Sequence, residues 1–346
     1  MVQKIKCVIW DLDNTIWDGV LSEDKEVKLN DNIKEIIEEL DKRGILQSVA
    51  SKNNYDDAMA KLREFGLDEY FLYPQITWDA KSESVRKIRE QINIGMDSIT
   101  FIDDQQFELE EVSFSNPEAL CINANEVSGI LNRDEFQPRF ITSDSRNRRI
   151  MYMNDIKRKE EEESYKGSSV EFLKSLNMYV DVSYATVEDI KRVEELTVRT
   201  HQLNSTGYTY TYEELCELID SDNYKLLIVS LKDRFGSYGK IGIILLEMKE
   251  DNVIIKLFLL SCRVMSRGIG SILMNVIKKE VQKHNKKLFA EFISNEKNRM
   301  MKIMLMFNGF EESEQENLLV CKNLSVKEDM DHITTVSYTH LRAHET

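Results

Sequence analysis

Two kinds of segment alternate from Ile5 to Ile122, and this alternation constrains the fold more than any other feature. Strand-like, apolar or β-branched runs occur at Ile5–Trp10, Ile45–Ala50, Phe71–Ile76, Ser98–Ile102 and Ala119–Ile122. Between them lie amphipathic stretches at Ile33–Arg43, Tyr55–Phe65, Lys81–Ile92 and Phe107–Ser113. Strand, helix, strand repeated in this way predicts an α/β unit, a parallel sheet with helices on both faces. Ligands of such sheets bind beyond the carboxyl ends of the strands, so the loops leaving these runs are where chemistry is expected.

Residues 132–167 break the alternation. The stretch 146–163 is highly charged, ends in Lys157-Arg158-Lys159-Glu160-Glu161-Glu162-Glu163 and has almost no apolar face after Met153. It predicts a solvated helix bridging two domains. From Leu176 the order changes. Strands are expected near 178–183, 225–231, 239–248, 252–260, 287–293 and 318–321, with helices near 187–199, 212–219, 269–284 and 299–307. That is an α+β unit of antiparallel meanders followed by a strand–turn–helix. The expected divisions are 1–131, a charged helical linker 132–175, a second domain 176–325 and a tail 326–346.

A length of 346 residues suits two domains with proper cores. Net charge is −15, which argues against a general nucleic-acid binder or a membrane-surface protein. No apolar run approaches the roughly 18–20 residues that span a bilayer, and the amino terminus leads into a short strand rather than a signal-peptide core. Five scattered cysteines with no CxxC pair form neither a disulfide framework nor a zinc site, so a reducing, cytoplasmic setting is expected. The charge is unevenly shared. Residues 1–131 hold 14 basic against 27 acidic side chains, −13, leaving −2 for the remainder.

Asp11 and Asp13 leave the first strand, and Asp103-Asp104 leave the fourth. Either pair alone reads as a helix cap or an acidic turn. Two such pairs at one edge of a parallel sheet would repel unless a cation sat between them, and a hard oxygen-seeking ion such as Mg²⁺ fits. Ser51, which opens a helix after the second strand, offers a hydroxyl and helix N-terminal N–H groups to a phosphate. Lys81, at the start of the next helix, can neutralise a phosphate or a nucleophilic carboxylate.

The order Asp-x-Asp-x-Thr, Ser, Lys, Asp-Asp resembles the four motifs of the haloacid dehalogenase (HAD) superfamily of phosphatases. The resemblance implies that Asp11 is the nucleophile forming an aspartyl-phosphate and that Asp13 is the general acid. It also implies that Ser51 and Lys81 hold phosphoryl oxygens. Asp103, Asp11 and the Asp13 backbone carbonyl would ligate Mg²⁺, with Asp104 in support. Cap domains in that superfamily are inserted between these motifs. Here the intervals from Asp13 to Ser51 and from Ser51 to Lys81 each hold one strand–helix unit and leave no room for a cap. An open site suits a phosphate carried on something large; a small substrate with low selectivity is the competing reading.

In the second half a strand runs into Arg267-Gly268-Ile269-Gly270 and an amphipathic helix, an anion cradle in which glycines let N–H groups approach a pyrophosphate. It resembles the acyl-CoA turn of GNAT acyltransferases, with Met265 in place of the usual leading Arg or Gln. Residues 263–287 carry seven basic side chains against one acidic, a charge that could attract phosphopantetheine or an acidic carrier, most directly at Arg263 and Arg267. The lysines near the helix C-terminus are equally explained by its dipole.

Together the halves resemble the FkbH family, a HAD domain fused to a GNAT-like domain, through Asp-Leu-Asp-Asn-Thr-Ile-Trp (11–17), Ser-Lys-Asn-Asn (51–54), Phe-Ile-Asp-Asp (101–104), Ser-Cys-Arg-Val (261–264) and, more loosely, 197–206. That family takes a glyceryl unit from 1,3-bisphosphoglycerate, removes the phosphate and loads glyceryl onto a phosphopantetheinylated acyl carrier protein for polyketide-type assembly. The resemblance implies the same chemistry here; the −13 charge of residues 1–131 would repel an acidic carrier, so docking is expected on the second half, near Arg263 and Arg267. A simple phosphatase whose second half binds a carrier without transfer is the alternative. The chain departs from the family at Ala50, where some members have a cysteine, at Gln105-Gln106, and at His201. Cys262 reads as an acyl carrier or a buried core thiol, and His201 as an acid–base group or a structural one. The last dozen residues, 335–346, resemble a tail found on gene predictions from environmental DNA and are expected to be non-native, so His340 and His344, with nearby His332, are not read as a metal cluster.

Overall fold

Strand β1 (Cys7–Trp10) is apolar at every position and wholly buried, as a central strand covered on both faces must be. The computed structural model describes residues 4–326 and 333–337. A short hairpin, β2 (Trp17–Asp18) with β3 (Lys28–Leu29), follows β1. Then come α1 (Ile33–Lys42), β4 (Leu46–Ser51), α2 (Tyr55–Glu64), β5 (Gln75–Ile76), α3 (Lys81–Ile92), β6 (Ile99–Asp103), α4 (Gln106–Ser115) and β7 (Leu120–Asn123). The sheet order is β5-β4-β1-β6-β7, and every neighbouring pair is parallel. The alternating pattern therefore folds as expected. Helix α1 shows why: Ile33, Ile36, Ile37 and Leu40 recur at helical spacing and all four are buried in the core of this unit. Helix α2 starts where Asn54 Oδ1 accepts from the Asp56 and Asp57 amides.

The helices α5 (Ser143–Arg146), α6 (Arg148–Ser164) and α7 (Ser169–Ser175) follow. Two compact units, 1–153 and 154–346, divide inside α6. Helix α6 is less solvated than its charges suggested. Arg158 is 1% exposed, enclosed by the carboxylates of Asp155 and Asp233 and the Tyr238 ring.

The second unit comprises β8 (Met178–Tyr184), α8 (Ile190–Arg199), α9 (Tyr212–Asp220), β9 (Tyr224–Asp233), β10 (Gly236–Met248) and β11 (Asn252–Leu260). It continues with α10 (Ile269–Lys283), β12 (Lys287–Glu291), α11 (Arg299–Phe307), β13 (Phe310–Glu312), β14 (Leu318–Cys321) and β15 (Ile333–Ser337). Its mixed sheet has the order β13-β14-β12-β11-β10-β9-β8-β15. Strands β8 to β11 form the expected antiparallel meander, and β11 then pairs in parallel with β12. Side chains alternate between two cores. Val229, Ile244 and Phe258 face one, with Leu273 and Ile277 of α10; Ile228, Ile243 and Leu257 face the other, with Val193 and Leu196 of α8.

Residues 335–337 belong to β15, parallel to β8 with Thr335 opposite Val180. His332, His340 and His344 lie outside the described residues. All five cysteines are free. Among the described residues no helix is long and apolar enough to cross a membrane.

Candidate active site

Parallel pairing of β4, β1 and β6 puts their carboxyl ends on one edge, and each end delivers a polar group. Asp11 follows β1, with its amide donating to the Ile102 carbonyl (2.9 Å). Ser51 ends β4 and Asp103 ends β6. Lys81 is the first residue of α3. The loop before it is tied to β4 by the Thr77 amide, which donates to the Ser51 carbonyl (3.0 Å).

Lys81 Nζ lies 2.9 Å from Asp11 Oδ1 and 2.7 Å from Asp103 Oδ2, and all three side chains are buried. Asp103 Oδ1 accepts from the Gln105 amide (2.9 Å), which opens α4 and leaves Oδ2 to the lysine. Oxygens of Asp11, Asp103 and Asp104 lie within 4.8 Å of one another. Asp104 Oδ1 is buried and meets no hydrogen-bond donor among the described residues.

Burial dominates the electrostatics. It pushes the Asp11 carboxyl up to about 6; the Lys81 ammonium and a Ser51 hydrogen bond oppose it, while Asp103 adds to it. Asp103 and Asp104 are also raised by burial, Lys81 opposing in both cases. Burial works against the Lys81 ammonium, but Asp11 and Asp103 outweigh it and its pKa moves up. One ammonium among three carboxylates leaves the cluster short of positive charge. An all-oxygen donor set with an orphaned carboxylate oxygen suits a hard divalent cation such as Mg²⁺.

Asp13 stands apart from this cluster. Its Oδ1 accepts from Trp17 Nε1 (2.8 Å) and the Leu21 amide (3.0 Å), and its Oδ2 from Asn53 Nδ2 (2.8 Å). Asn53 also reaches Ser51 Oγ (3.4 Å). Nearby, Lys52 Nζ pairs with buried Glu108 Oε1 (2.6 Å). Asp11, Asp13, Ser51, Lys81, Asp103 and Asp104 thus lie at one edge; Asn53 and Trp17 stand in the motifs quoted above with no role assigned to them, and Glu108 was not singled out. Trp17 follows Asp13 closely in the chain, a weak clue; Asn53 and Glu108 are joined to their partners only by the tertiary fold.

In the second unit Cys262, Arg263 and Arg267 lie on a 3₁₀ turn, Cys262–Arg267, between β11 and α10. Cys262 is half-buried. Arg263 Nη2 donates to the Tyr238 carbonyl (2.9 Å). Arg267, expected to face a carrier, is instead 6% exposed, its guanidinium 3.1 Å from Glu162 Oε2 and 5.7 Å from the Phe172 ring centre. Gly268 caps α10 at φ +75°, a left-handed geometry that favours glycine. At Gly270 a Cβ would stand 3.2 Å from Met304 Cγ, so this glycine lets α10 pack close to α11. His201 is exposed on the segment after α8.

That segment runs into β11. Strands β11 and β12 pair only from Asn252 opposite Lys287 to Ile255 opposite Ala290. Farther along, residues 203–205 take the β11 edge. The Leu260 amide donates to the Leu203 carbonyl (2.9 Å), the Ser205 amide to the Phe258 carbonyl (3.0 Å), and the Ile293 amide to the Ser205 carbonyl (3.0 Å). Ser205 Oγ accepts from the Phe258 amide (3.0 Å). Asn298 Nδ2 locks the insert by donating to the carbonyls of Asn204 (3.1 Å) and Ile293 (2.9 Å).

Residues 20–112 match the family model described as haloacid dehalogenase-like hydrolase. The match includes Ser51, Lys81, Asp103 and Asp104 and begins after Asp11 and Asp13, which the fold places beside them. No curated protein matches the chain. Among solved structures, the chain is similar to the N-terminal part of a Bacteroides fragilis protein containing a phosphatase domain complexed with Mg. Identity is 27% and the TM-score 0.33, over 38% of this chain and 40% of that one. It is also similar to a HAD-superfamily hydrolase, subfamily IA, from Geobacter sulfurreducens (15% identity, 37% of this chain, 100% of that one, TM-score 0.29). A third is the ribosomal-protein-S18-alanine N-acetyltransferase of Escherichia coli (12% identity, 41% of this chain, 90% of that one, TM-score 0.33). The chain thus covers less than half the length of the first of these. The matched family model and the parallel sheet identify a haloacid dehalogenase-like hydrolase domain in the first unit.

Proposed function

We propose that the first unit is a Mg²⁺-dependent phosphatase. The observation that carries this reading is Lys81 bridging Asp11 and Asp103, with Asp104 completing a buried oxygen cluster at the carboxyl edge of the sheet. Asp11, Asp103 and Asp104 would hold the cation, which on binding supplies charge neutralisation for the phosphoryl oxygens. Asp11 attacks phosphorus and forms an aspartyl-phosphate as the bond to the leaving oxygen breaks; that oxygen takes a proton from Asp13. Asp13 then takes a proton from water as the water attacks the same phosphorus. Inorganic phosphate leaves and Asp11 is regenerated. Lys81 and Ser51 hold the transferring oxygens throughout.

The finer reading rests on the resemblance of both halves to the FkbH family: the substrate is a phosphoglyceryl compound, and the second unit loads the acyl unit onto an acyl carrier protein. The insert at residues 203–205 sets a condition on it. An extended amide-bearing arm could pair with that stretch of β11 only after the insert had left. The test combines the protein with Mg²⁺, 1,3-bisphosphoglycerate and a phosphopantetheinylated carrier, then reads phosphate release and intact carrier mass. A glyceryl increment supports loading; phosphate release alone reduces the reading to a phosphatase. If Asp11→Asn releases phosphate as fast as the parent, the site is wrongly placed.

A further inference from the structure

Three donors from three parts of the chain converge on Asp13: an indole N–H from Trp17 on β2, the Leu21 amide from the hairpin loop, and the Asn53 amide group from the loop after β4. Asp13 is only partly buried, whereas Trp17 and Asn53 are buried. Water could satisfy a partly exposed carboxylate, so an array of fixed donors on it acts on orientation.

A carboxylate offers about four lone-pair sites. The two donors on Oδ1 fill that oxygen, and Asn53 takes one site on Oδ2. What remains is one site on Oδ2, beside Asn53, and a transferable proton must be carried there. Through its 3.4 Å approach to Ser51 Oγ, the same amide group ties this oxygen to the phosphate-binding end of β4.

We propose that Asn53 and Trp17 are positioning residues that aim Oδ2 of Asp13, with its proton, at the leaving-group oxygen. This rests on the phosphatase reading above. It goes beyond that reading by assigning two residues to the aim of Asp13, and for the first step, in which Asp13 gives up its proton, it makes a claim about substrates. An alkoxide leaving group needs the proton; a stabilised nitrophenoxide does not.

The test compares single-turnover release of the alcohol, the step that precedes attack by water, on glycerol phosphate and on 4-nitrophenyl phosphate, both with Mg²⁺, for the parent, Asn53→Ala and Trp17→Phe. General acid catalysis contributes about 10²–10⁴-fold, so each variant should lose roughly 10²-fold or more on the glycerol ester and no more than about fivefold on the nitrophenyl ester. Trp17→Phe keeps a ring in the core while deleting the N–H. Should it lose its cooperative melt, Asn53→Ala decides alone. Equal losses on both esters would assign Asn53 to phosphate binding and overturn the proposal, as would no loss on the glycerol ester. If the parent hydrolyses the nitrophenyl ester but not the glycerol ester, Asp13 is not delivering a proton and the proposal fails while the phosphatase reading stands. If it hydrolyses neither, that reading falls and takes the proposal with it.

Discussion

Arg158 shows at the scale of one residue how a charge-rich helix is held without an apolar stripe. Its Nε and Nη2 meet the two oxygens of Asp233 at 2.6 and 2.8 Å, and Nη1 meets Asp155 at 2.7 Å. Its guanidinium stacks 3.8 Å from the Tyr238 ring centre. Asp233 Oδ1 also accepts from the Phe235 and Gly236 amides that turn β9 into β10. Removing one member of a buried ion pair leaves an uncompensated charge and costs about 3–5 kcal/mol. Arg158→Ala should destabilise the second unit by about that amount, read from urea unfolding. Arg158→Lys should recover only part of it, since an ammonium cannot make the two-pronged contact. A midpoint unchanged in Arg158→Ala would remove this account. In the sequence Arg158 is one charge in a charged run and reads as solvated, because Asp233 and Tyr238, which bury it, belong to a distant hairpin. Asp11, Ser51 and Asp103 were legible for the opposite reason: each directly follows or ends a recognisable strand, and in a parallel sheet that alone places them together.

Elements follow the same division between local and distant causes. The helix α1 and the strands β1, β4 and β6 were readable because their apolar spacing is local and all of it is buried. The hairpin β2–β3 was not, since strands so short carry no periodicity. Nor was the insert at residues 203–205, which no spacing announces: it exists because β12 leaves β11 after Ile255 and the vacated amides and carbonyls must find partners. Asn298 is the side chain that closes it, wholly buried and bonded to the carbonyls on both sides. Asn298→Ala leaves those carbonyls unsatisfied, at about 1–3 kcal/mol. Hydrogen exchange at the amides of Phe258, Leu260 and Ile293 should then quicken roughly 5- to 100-fold. Amides in the β9–β10 hairpin should keep the parent's rates. Unchanged exchange at the three reporters would show that the insert is held without Asn298.

For the whole molecule, the imbalance of charge becomes a prediction about where a cation acts. Residues 1–131 carry −13 of the net −15, and within them Asp11, Asp103 and Asp104 share a single ammonium. Binding to the folded state at a hundred times the dissociation constant stabilises by about 2.7 kcal/mol. For a unit of about 150 residues, that raises its melting midpoint by roughly 5–10 °C. Calorimetry with Mg²⁺ against chelator should therefore move the transition of the first unit. Arg158→Ala should lower the transition of the second unit and leave the Mg²⁺ shift intact. Asp104→Asn is the discriminating variant. It removes a charge whose buried Oδ1 has no donor among the described residues, so without the metal its first unit should melt no lower than the parent's, yet its response to Mg²⁺ should largely vanish. Stability gained as metal response is lost is the signature of a residue kept for binding rather than folding. If Asp104→Asn responds to Mg²⁺ like the parent, Asp104 is not a ligand and the cluster is only a buried ion-pair network.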